Sequence, residues 1–319
     1  MFDVIKSDLA TLEDKLLEAV TAPDALVTEV GTHLVTSGGK RLRPALCLLS
    51  AHGGKSFDLA HTLPLATALE LIHTASLVHD DVIDKADTRR GAPTANAKWD
   101  NKIAILAGDY IFARAFHLVT EGGYGDYVAG RLAWLVGNLS VGEIIQDKGM
   151  YRASRDEQDY YNRIQKKTAD FLEICCELGA RVGGMAEDEA KALAQYGHDI
   201  GMAFQITDDL LDIAQTSERI GKPVGSDIRQ GIITLPVLRA LHESDACDEL
   251  LAIVTNPTMT DADVTRALDI VKATDGIDFA KAKADAFLAH AKAILPKDLP
   301  EDIRDAYEQV ADFIGDRDF

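Results

Sequence analysis

The chain has 319 residues, of which 47% are hydrophobic and 27% are charged. This composition supplies enough apolar side chains for a large core and is too balanced for a disordered chain. The 52 acidic residues outnumber the 33 basic ones, and the formal net charge is −19. An extended nucleic-acid interface is therefore excluded, because such an interface needs a basic surface.

The four cysteines show no spacing typical of metal or redox motifs. Two of them are adjacent in an apolar stretch, so we predict buried thiols in a reducing cytoplasm. The cysteines are Cys47, Cys175, Cys176 and Cys247. The first residues lack a basic region followed by an apolar core, and nowhere do about eighteen apolar residues follow one another. The sequence thus predicts a cytoplasmic protein without a signal peptide or a transmembrane segment.

Apolar residues recur three and four positions apart almost throughout, and the strict alternation typical of strands is missing. The predicted fold is all-α, with about a dozen helices. Glycine and proline mark the breaks between them. The predicted breaks are 37–39, 53–54, 90–93, 122–123, 183–184, 221–223 and 256–257. Because no linker, repeat or low-complexity tract divides the chain, we predict a single domain covering residues 1–319.

The helix predicted for residues 63–84 is apolar on most sides, which places it inside a bundle, yet it ends in an acidic stripe. His73, Asp80 and Asp84 share one face of it, since positions seven and eleven residues apart lie on the same side of a helix. Two carboxylates one turn apart repel each other unless a cation lies between them. A magnesium site would explain the pair.

A second apolar helix, predicted for residues 193–213, ends in the same way. Its stripe contains Gln205, Asp208, Asp209 and Asp212. A single pattern of this kind is usually a solvated acidic helix end. Here the pattern occurs twice, each time at the C-terminal end of a helix, where the helix dipole disfavours negative charge. This repetition favours metal binding over a solvated helix end. Magnesium held by few carboxylates completes its coordination with water and substrate phosphate, so a diphosphate ligand is indicated.

Basic residues occur in compact groups near both stripes. Each group alone is typical of a solvated surface, but beside acidic metal sites their side chains suit phosphate oxygens. The groups are Lys40, Arg41 and Arg43; Arg89 and Arg90; Lys166 and Lys167; and Lys222.

These motifs resemble those of the trans-isoprenyl diphosphate synthase, or polyprenyl synthetase, family over about residues 31–241, and most of all its long-chain octaprenyl and decaprenyl members. The matching motifs are Gly-Gly-Lys-Arg-Leu-Arg-Pro at 38–44, the segment 71–84 with Arg89-Arg90-Gly91, Lys167-Thr168-Ala169, the segment 201–212 with Gly221-Lys222-Pro223, and Thr234-Leu235-Pro236. The resemblance implies the isoprenoid synthase fold, a bundle of mostly antiparallel helices around a deep central cavity. It also implies a homodimer as the working unit.

The resemblance further implies a prenyltransferase that joins isopentenyl diphosphate head to tail with an allylic diphosphate. The product would be a long all-trans polyprenyl diphosphate, octaprenyl to decaprenyl, for ubiquinone side chains. Three magnesium ions would bind the allylic diphosphate, whose departure leaves an allylic carbocation. The departing diphosphate takes the released proton, so no dedicated base is required and His79 is a structural neighbour.

Individual positions take their roles from the same resemblance. The residues expected to hold isopentenyl diphosphate are Lys40, Arg43, His73 and Arg90. The expected metal ligands are Asp80, Asp81, Asp84, Asp208 and Asp212, of which Asp80, Asp84 and Asp208 act in catalysis. The allylic diphosphate is also held by Arg89, Lys167 and Lys222, and carbonyl dipoles around Lys167, Thr168 and Gln205 stabilise the carbocation. One position departs from the family, since Ile232 stands where a lysine that contacts the allylic diphosphate is common.

Product length in this family depends on how deep the cavity runs below the first aspartate motif. Ala75 and Ser76 are small where short-chain members commonly place an aromatic ring, Ile72 is aliphatic, and Trp134 is the expected floor. Small residues at these positions are also consistent with ordinary helix packing.

Other functions stay open at this point. A short-chain farnesyl or geranylgeranyl diphosphate synthase would differ only in product length. Lys40, Arg43 and His73 argue against a terpene cyclase, which needs no site for isopentenyl diphosphate. The two intact aspartate motifs argue against a non-catalytic partner subunit or a purely structural helical protein.

Overall fold

The computed structural model describes residues 1–152, 156–214 and 224–316, and nearly all regular structure in them is helical. The α-helices in chain order are α1 Lys6–Val20, α2 Ala25–Thr36, α3 Leu42–His52, α4 Leu59–Ile83, α5 Ala95–Lys98, α6 Asn101–Glu121, α7 Gly125–Gly149, α8 Glu157–Ile164, α9 Asp170–Val182, α10 Glu187–Ala214, α11 Ser226–Arg229, α12 Leu235–Glu243, α13 Cys247–Val254, α14 Asp261–Lys272, α15 Gly276–Ala293 and α16 Glu301–Gly315. A 3₁₀ turn, Asp3–Ile5, precedes α1, and a π-helical turn, Gln165–Ala169, joins α8 to α9. The all-α prediction is confirmed. The helices outnumber the predicted dozen because several are short, such as α5 and α11.

A short β-hairpin between α4 and α5 was not predicted. Strand β1 (Thr88–Arg89) pairs antiparallel with β2 (Ala92–Pro93), the first residue of one facing the last residue of the other. The turn consists of Arg90 and Gly91, whose φ angles are 54° and 79°. A two-residue turn with two positive φ angles matches the twist of a hairpin. The sequence indicated a break here, but strands of two residues carry no periodic signal.

The chain folds into two compact units, each built from separate stretches of sequence. The first unit contains residues 1–136, 174–194 and 296–306, and the second contains residues 137–173, 195–295 and the C-terminal residues from 307 onward. The single domain expected from the sequence stays a prediction.

In the first unit, α4 lies at the centre of a helical core. Leu65, Leu69 and Ile72 of this helix are fully buried, and α6 packs closely along it. At Gly108 of α6 a Cβ atom would stand 2.4 Å from Nε2 of His79, so this glycine allows the imidazole ring to lie directly against α6. This packing fixes the C-terminal end of α4, which carries the first acidic stripe.

In the second unit, two glycines of α10 allow a neighbouring segment to touch its backbone. A Cβ at Gly197 would stand 2.4 Å from the carbonyl oxygen of Leu172, and one at Gly201 would stand 2.5 Å from Cα of Ala169. Only glycine tolerates such contacts without a shift of the backbone. The π turn and α9 are thereby placed beside the second acidic stripe.

The prediction of buried thiols holds for three cysteines. Cys47, Cys175 and Cys176 are buried, and burial raises the pKa of the Cys47 and Cys175 thiols. Cys247 is partly exposed, so the prediction is wrong for this residue. It is the first residue of α13, a short amphipathic helix in which Leu250 and Val254 are buried.

Two helices, α6 and α7, are long and apolar enough to cross a membrane by length and composition alone. Core helices of soluble proteins also meet these criteria, and 39% of the apolar window of α6 and 22% of that of α7 are buried. Large exposed apolar side chains on α7 are Tyr127, Trp134, Val141, Ile144 and Ile145. That no segment spans a membrane stays a prediction.

Candidate active site

The first aspartate motif lies at the C-terminal end of α4, in the first unit. Asp80 is partly buried and Asp84, the residue that ends the helix, is exposed. Asp81 is only 4% exposed and accepts a hydrogen bond from Nε of Arg89 at 2.7 Å. Burial raises the pKa of Asp81, and the bond from Arg89 opposes this rise. The neighbouring aspartates thus have different environments, and Asp81 ties the β-hairpin to α4.

Arg43 and His73, both expected to hold isopentenyl diphosphate, are in contact. Nη1 of Arg43 lies 3.2 Å from Nε2 of His73. Because a guanidinium can only donate, Nε2 must be the acceptor, and the proton of a neutral imidazole is then on Nδ1. Burial lowers the pKa of His73 well below its ordinary value, and the charges of Arg43 and Arg90 lower it further. His73 is therefore neutral at physiological pH.

The other two cations expected at this site are on two segments that contact each other: Lys40 is in the loop between α2 and α3, and Arg90 is in the turn of the β-hairpin. Arg90 donates through Nη1 to the carbonyl oxygen of Gly38. At Gly39, whose φ is 153°, a Cβ would stand 2.6 Å from Nη1 of Arg90, so the loop needs glycine there. Lys40 follows and is exposed. A small pocket at this place is lined by Gly38, Arg41, Glu70, His73, Arg89 and Arg90, among others.

Arg41 belongs to the same basic motif but contacts protein groups. Its Nε and Nη2 atoms donate to the two carboxylate oxygens of Glu13 at 2.6 and 2.9 Å, and Nη1 donates to Glu70 at 2.9 Å. Nη2 also donates to the carbonyl oxygen of Val35 at 2.6 Å. The backbone of Arg41 has a φ of 49°, which is uncommon for a residue with a Cβ. We conclude that Arg41 holds the loop between α2 and α3 in place.

The second aspartate motif lies near the C-terminal end of α10, in the second unit, and its three carboxylates also differ. Asp208 is exposed. Asp209 is 6% exposed and accepts hydrogen bonds from Tyr160 and Gln205 at 2.8 and 3.1 Å. Burial raises the pKa of Asp209 to about 6. The oxygens of Asp212 accept from the backbone N–H groups of residues 226 and 227 at 3.1 and 3.0 Å, so Asp212 anchors the start of α11.

Asp227, the second residue of α11, was not singled out from the sequence. Burial raises its pKa to about 8, and the charges of Asp209 and Asp212 add to the rise. A strongly shifted carboxyl beside two aspartates of a motif is typical of a functional site. In the sequence, the one indication of a role for Asp227 is that it follows shortly after Gly221-Lys222-Pro223. No local pattern distinguishes it from an ordinary surface aspartate. Lys222 itself lies outside the described residues.

The π turn carries the residues expected to stabilise positive charge. The backbone N–H of Asp170 bonds to the carbonyl oxygen of Gln165, a step of five residues, and such turns are rare and often occur at functional sites. Thr168 is buried and donates through Oγ1 to Oε1 of Gln205 at 3.0 Å. Lys167 is exposed, and its Nζ donates to Gln146 at 3.2 Å.

The donors available to a metal are aspartate oxygens at two helix ends. Among the described residues, no group of three or more His, Cys, Asp or Glu side chains forms a ready-made metal cage. Magnesium does not need one, since it commonly binds through one or two carboxylates together with substrate phosphates and water. Within the first unit, the partly buried Asp80 and the exposed Asp84 offer carboxylate oxygens of this kind. Within the second unit, the exposed Asp208 does the same.

The residues expected to set product length lie in different environments. Ile72 and Ala75 are fully buried on α4, and the hydroxyl of Ser76 donates to the carbonyl oxygen of His73 at 2.9 Å. Trp134 is 43% exposed, and the guanidinium of Arg131 lies 4.9 Å from the centre of its ring. A side chain that closes a cavity must be buried among its walls. Within this chain, the exposure of Trp134 argues against its assignment as the floor.

Comparison with known proteins agrees with these motifs. A family model described as Polyprenyl synthetase matches residues 24–271, which is more than half of the chain. The chain belongs to the polyprenyl synthetase family. It is therefore a prenyltransferase, and its activity is that of a trans-prenyl diphosphate synthase.

Curated relatives of this polyprenyl synthetase differ in their named products. Component 2 of the heptaprenyl diphosphate synthase of Geobacillus stearothermophilus is 41% identical, over 100% of this chain and 98% of that protein. The short chain isoprenyl diphosphate synthase of Methanothermobacter thermautotrophicus is 35% identical, over 100% of this chain and 99% of that protein.

Solved structures of similar proteins share the fold. A decaprenyl diphosphate synthase from Rhodobacter capsulatus has a TM-score of 0.91 and 35% identity, over 98% of this chain and 97% of that one. A polyprenyl synthase from Caulobacter crescentus, complexed with calcium and isoprenyl diphosphate, has a TM-score of 0.90 and 32% identity, over 98% and 96%. This polyprenyl synthetase has the all-α isoprenoid synthase fold.

Proposed function

We propose that this polyprenyl synthetase extends an allylic diphosphate with isopentenyl diphosphate to a long all-trans chain, octaprenyl to decaprenyl. The observation that carries this proposal is the contact between Arg43 and His73, at 3.2 Å. These residues lie in a cluster of cations that is separate in sequence from the second aspartate motif. A synthase needs a second diphosphate site of this kind, whereas a terpene cyclase, which takes one substrate, does not.

The first-unit cations suit the diphosphate of isopentenyl diphosphate. Arg43 and Arg90 can form charge-assisted hydrogen bonds with its oxygens, and exposed Lys40 adds a mobile charge. Neutral His73 can donate from Nδ1, because Nε2 accepts from Arg43. Glu70, which is 4% exposed, is the compensating charge within this cluster.

The allylic diphosphate is assigned to the aspartates. We propose that Asp80, Asp84 and Asp208 bind three magnesium ions on it, with support from Asp81 and Asp212. Its remaining oxygens are held by Arg89, Lys167 and Lys222. Because Ile232 stands where a lysine is common in the family, one fewer lysine contacts the allylic diphosphate. Bound magnesium would supply Lewis-acid stabilisation of the leaving diphosphate.

Residues of the π turn and of α10 are assigned to the stabilisation of the positive charge on the allylic carbon. Carbonyl dipoles around Lys167, Thr168 and Gln205 direct partial negative charge toward the allylic cation. The double bond of isopentenyl diphosphate attacks C1 of the allylic cation, and a new carbon–carbon bond forms. The proton released from the condensed intermediate passes to the departing diphosphate.

Long product chains are proposed from the size of the residues below the first motif. Ala75 is fully buried, so an aromatic side chain there would occupy interior space. Ala75 and Ser76 leave that space to the growing chain, and Ile72 continues an aliphatic wall. A short-chain product is the second candidate, because one of the similar relatives bears that name.

We propose a cytoplasmic homodimer whose product supplies ubiquinone side chains. The exposed apolar side chains of α7 support an association of two copies, since large exposed apolar patches mark protein interfaces. The name of the Geobacillus relative, component 2, favours one alternative, a complex with a different subunit. Light scattering of the purified chain distinguishes these: a mass of twice 34.6 kDa supports the homodimer, and a monomer contradicts it.

The test of function is an incubation of the purified protein with labelled isopentenyl diphosphate, farnesyl diphosphate and magnesium. Octaprenyl to decaprenyl products are expected, and none should form with Asp80→Ala or Asp208→Ala, which should retain the wild-type melting temperature. Products that stop at geranylgeranyl diphosphate would overturn the long-chain assignment. Turnover of either variant within tenfold of wild type would contradict the metal assignment.

A further inference from the structure

A continuous line of hydrogen bonds in the second unit joins Tyr160 to the π turn. The hydroxyl of Tyr160 donates to Oδ2 of Asp209 at 2.8 Å, and Nε2 of Gln205 donates to Oδ1 of Asp209 at 3.1 Å. Oγ1 of Thr168 then donates to Oε1 of Gln205 at 3.0 Å. Tyr160 is 3% exposed, Asp209 and Thr168 are each 6% exposed, and Gln205 is partly buried.

The chemistry of the donors determines which way the amide of Gln205 points. A carboxylate cannot donate, so the group facing Asp209 must be the NH₂ of Gln205. The carbonyl oxygen consequently faces Thr168, whose hydroxyl donates to it. This oxygen has a second lone pair, which gives the amide a defined direction in which it can present partial negative charge.

The line depends on Asp209 staying in one rotamer, and Tyr160 is its second donor. A buried carboxylate costs free energy unless hydrogen bonds satisfy it, and donors on both oxygens prevent its rotation. Asp208, the preceding residue, is exposed instead. The two adjacent aspartates therefore have different roles. Asp208 is exposed and suits a metal ligand, whereas Asp209 accepts hydrogen bonds from protein side chains.

We propose that Tyr160 is a positioning residue of the condensation reaction. Its hydroxyl holds Asp209, and Asp209 in turn holds the amide of Gln205 in the orientation that stabilises the allylic cation. In this role Tyr160 acts through Asp209 and makes no contact of its own with the reacting atoms. This inference rests on the proposed function, since it assigns Gln205 to the reacting carbon.

Loss of the Tyr160 hydroxyl should affect the cation more than substrate binding. Without the second donor, Asp209 can rotate and Gln205 can turn with it. The cation is then stabilised less and reacts with water more often. A larger share of the allylic diphosphate is therefore converted to the free alcohol, and a smaller share to the condensed product. The chain offers a matched control in Tyr161, whose ring meets that of Tyr160 edge-on at 5.5 Å. Tyr161 lines a pocket beside His198, whereas Tyr160 lines one beside Arg163.

The experiment compares the full-length wild type with Tyr160→Phe and Tyr161→Phe in magnesium and both substrates. Tyr160→Phe should lower kcat about tenfold, the effect of one hydrogen bond to a charged group. Its Michaelis constants for isopentenyl diphosphate and its magnesium dependence should not change, and its alcohol fraction should rise. Tyr161→Phe should behave as wild type.

Asp209→Asn tests the same hydrogen-bond network at its next residue, and it replaces Tyr160→Phe if that variant does not fold. It should lower kcat and raise the alcohol fraction in the same way, and the double variant should lose no more than the larger single loss, because both changes break one line. A Tyr160→Phe enzyme within twofold of wild type, or one altered only in its magnesium dependence, overturns the role of Tyr160. A wild-type protein that forms no condensed product overturns the proposed function instead.

Discussion

Arg43 donates through Nη1 to Nε2 of His73, although both residues belong to a group that carries positive charge at a substrate site. The contact is possible because His73 is neutral: burial lowers its pKa, and the arginines around it lower the pKa further. One cation and one neutral donor thus stand side by side. Such a pair can bind a diphosphate without the repulsion that two adjacent cations would bring.

Arg43→Ala should raise the Michaelis constant for isopentenyl diphosphate by about tenfold or more, because a hydrogen bond to a charged group is worth about 1.5–3 kcal/mol. The constant for the allylic substrate should change little. Steady-state kinetics with each substrate varied in turn will show this. Arg239→Ala is the matched control, since its guanidinium pairs with Asp275 and Glu243. A rise confined to the allylic constant would mean that the two diphosphate sites are exchanged.

His73 should make the fold sensitive to acid. Because the pKa of His73 is lowered in the folded state, the unfolded chain binds more protons below pH ~6.5, and stability falls as pH falls through this value. Between pH 7.5 and pH 5 the loss from this group should be at most about 2 kcal/mol, the limit reached when only the unfolded chain takes up the proton. Urea unfolding at both pH values measures it. His73→Gln should reduce the pH dependence by this amount.

Glu70→Gln should destabilise the protein by about 2–3 kcal/mol, since it removes a charge from a nearly buried ion pair with Arg41. The side chains of Arg41 and Glu70 are 11% and 5% exposed. Glu13 also binds Arg41 but is 50% exposed, so Glu13→Gln should cost less than about 1 kcal/mol. Free energies of unfolding in urea compare the two.

The same pair of variants tests the role of Arg41 in holding its loop. Glu70→Gln should raise the Michaelis constant for isopentenyl diphosphate more than Glu13→Gln does, since Lys40 and Arg43 flank Arg41. Equal stabilities and equal constants for the two variants would show that Glu70 does not hold the loop.

Phe at position 75 should shorten the product. Ala75 is fully buried, and the ring of a phenylalanine there would occupy the interior space that the proposal leaves to the growing chain. Ala75→Phe and Ser76→Phe should still condense substrates but stop near farnesyl or geranylgeranyl diphosphate, as chromatography of dephosphorylated products will show. Trp134→Ala, at an exposed position, should leave product length unchanged. A long product from both Phe variants would rule out control by depth at this level of α4.

Much of this protein can be predicted from the sequence because its signals are local. The three- and four-residue spacing of apolar side chains determines the helices, and glycine and proline mark where they end. The two acidic stripes, with the basic groups near them, indicate a metal-assisted diphosphate enzyme, and the order of the motifs identifies the family. Each of these inferences needs only neighbours within a few turns of one helix.

The direction of each side chain was decided only by tertiary structure. The sequence puts Asp80 on the acidic stripe of α4, but it cannot say whether Asp80 or Asp81 is the more buried, or which of Asp208 and Asp209 is exposed. Asp81 turns toward Arg89 on an unpredicted hairpin, and Asp209 turns toward Tyr160, 49 residues earlier in the chain. Arg41 likewise meets Glu13 and Glu70, 28 and 29 residues away. A carboxylate or guanidinium takes the orientation in which distant partners satisfy it, because burial without a partner costs free energy. Those partners become known only when the helices are packed.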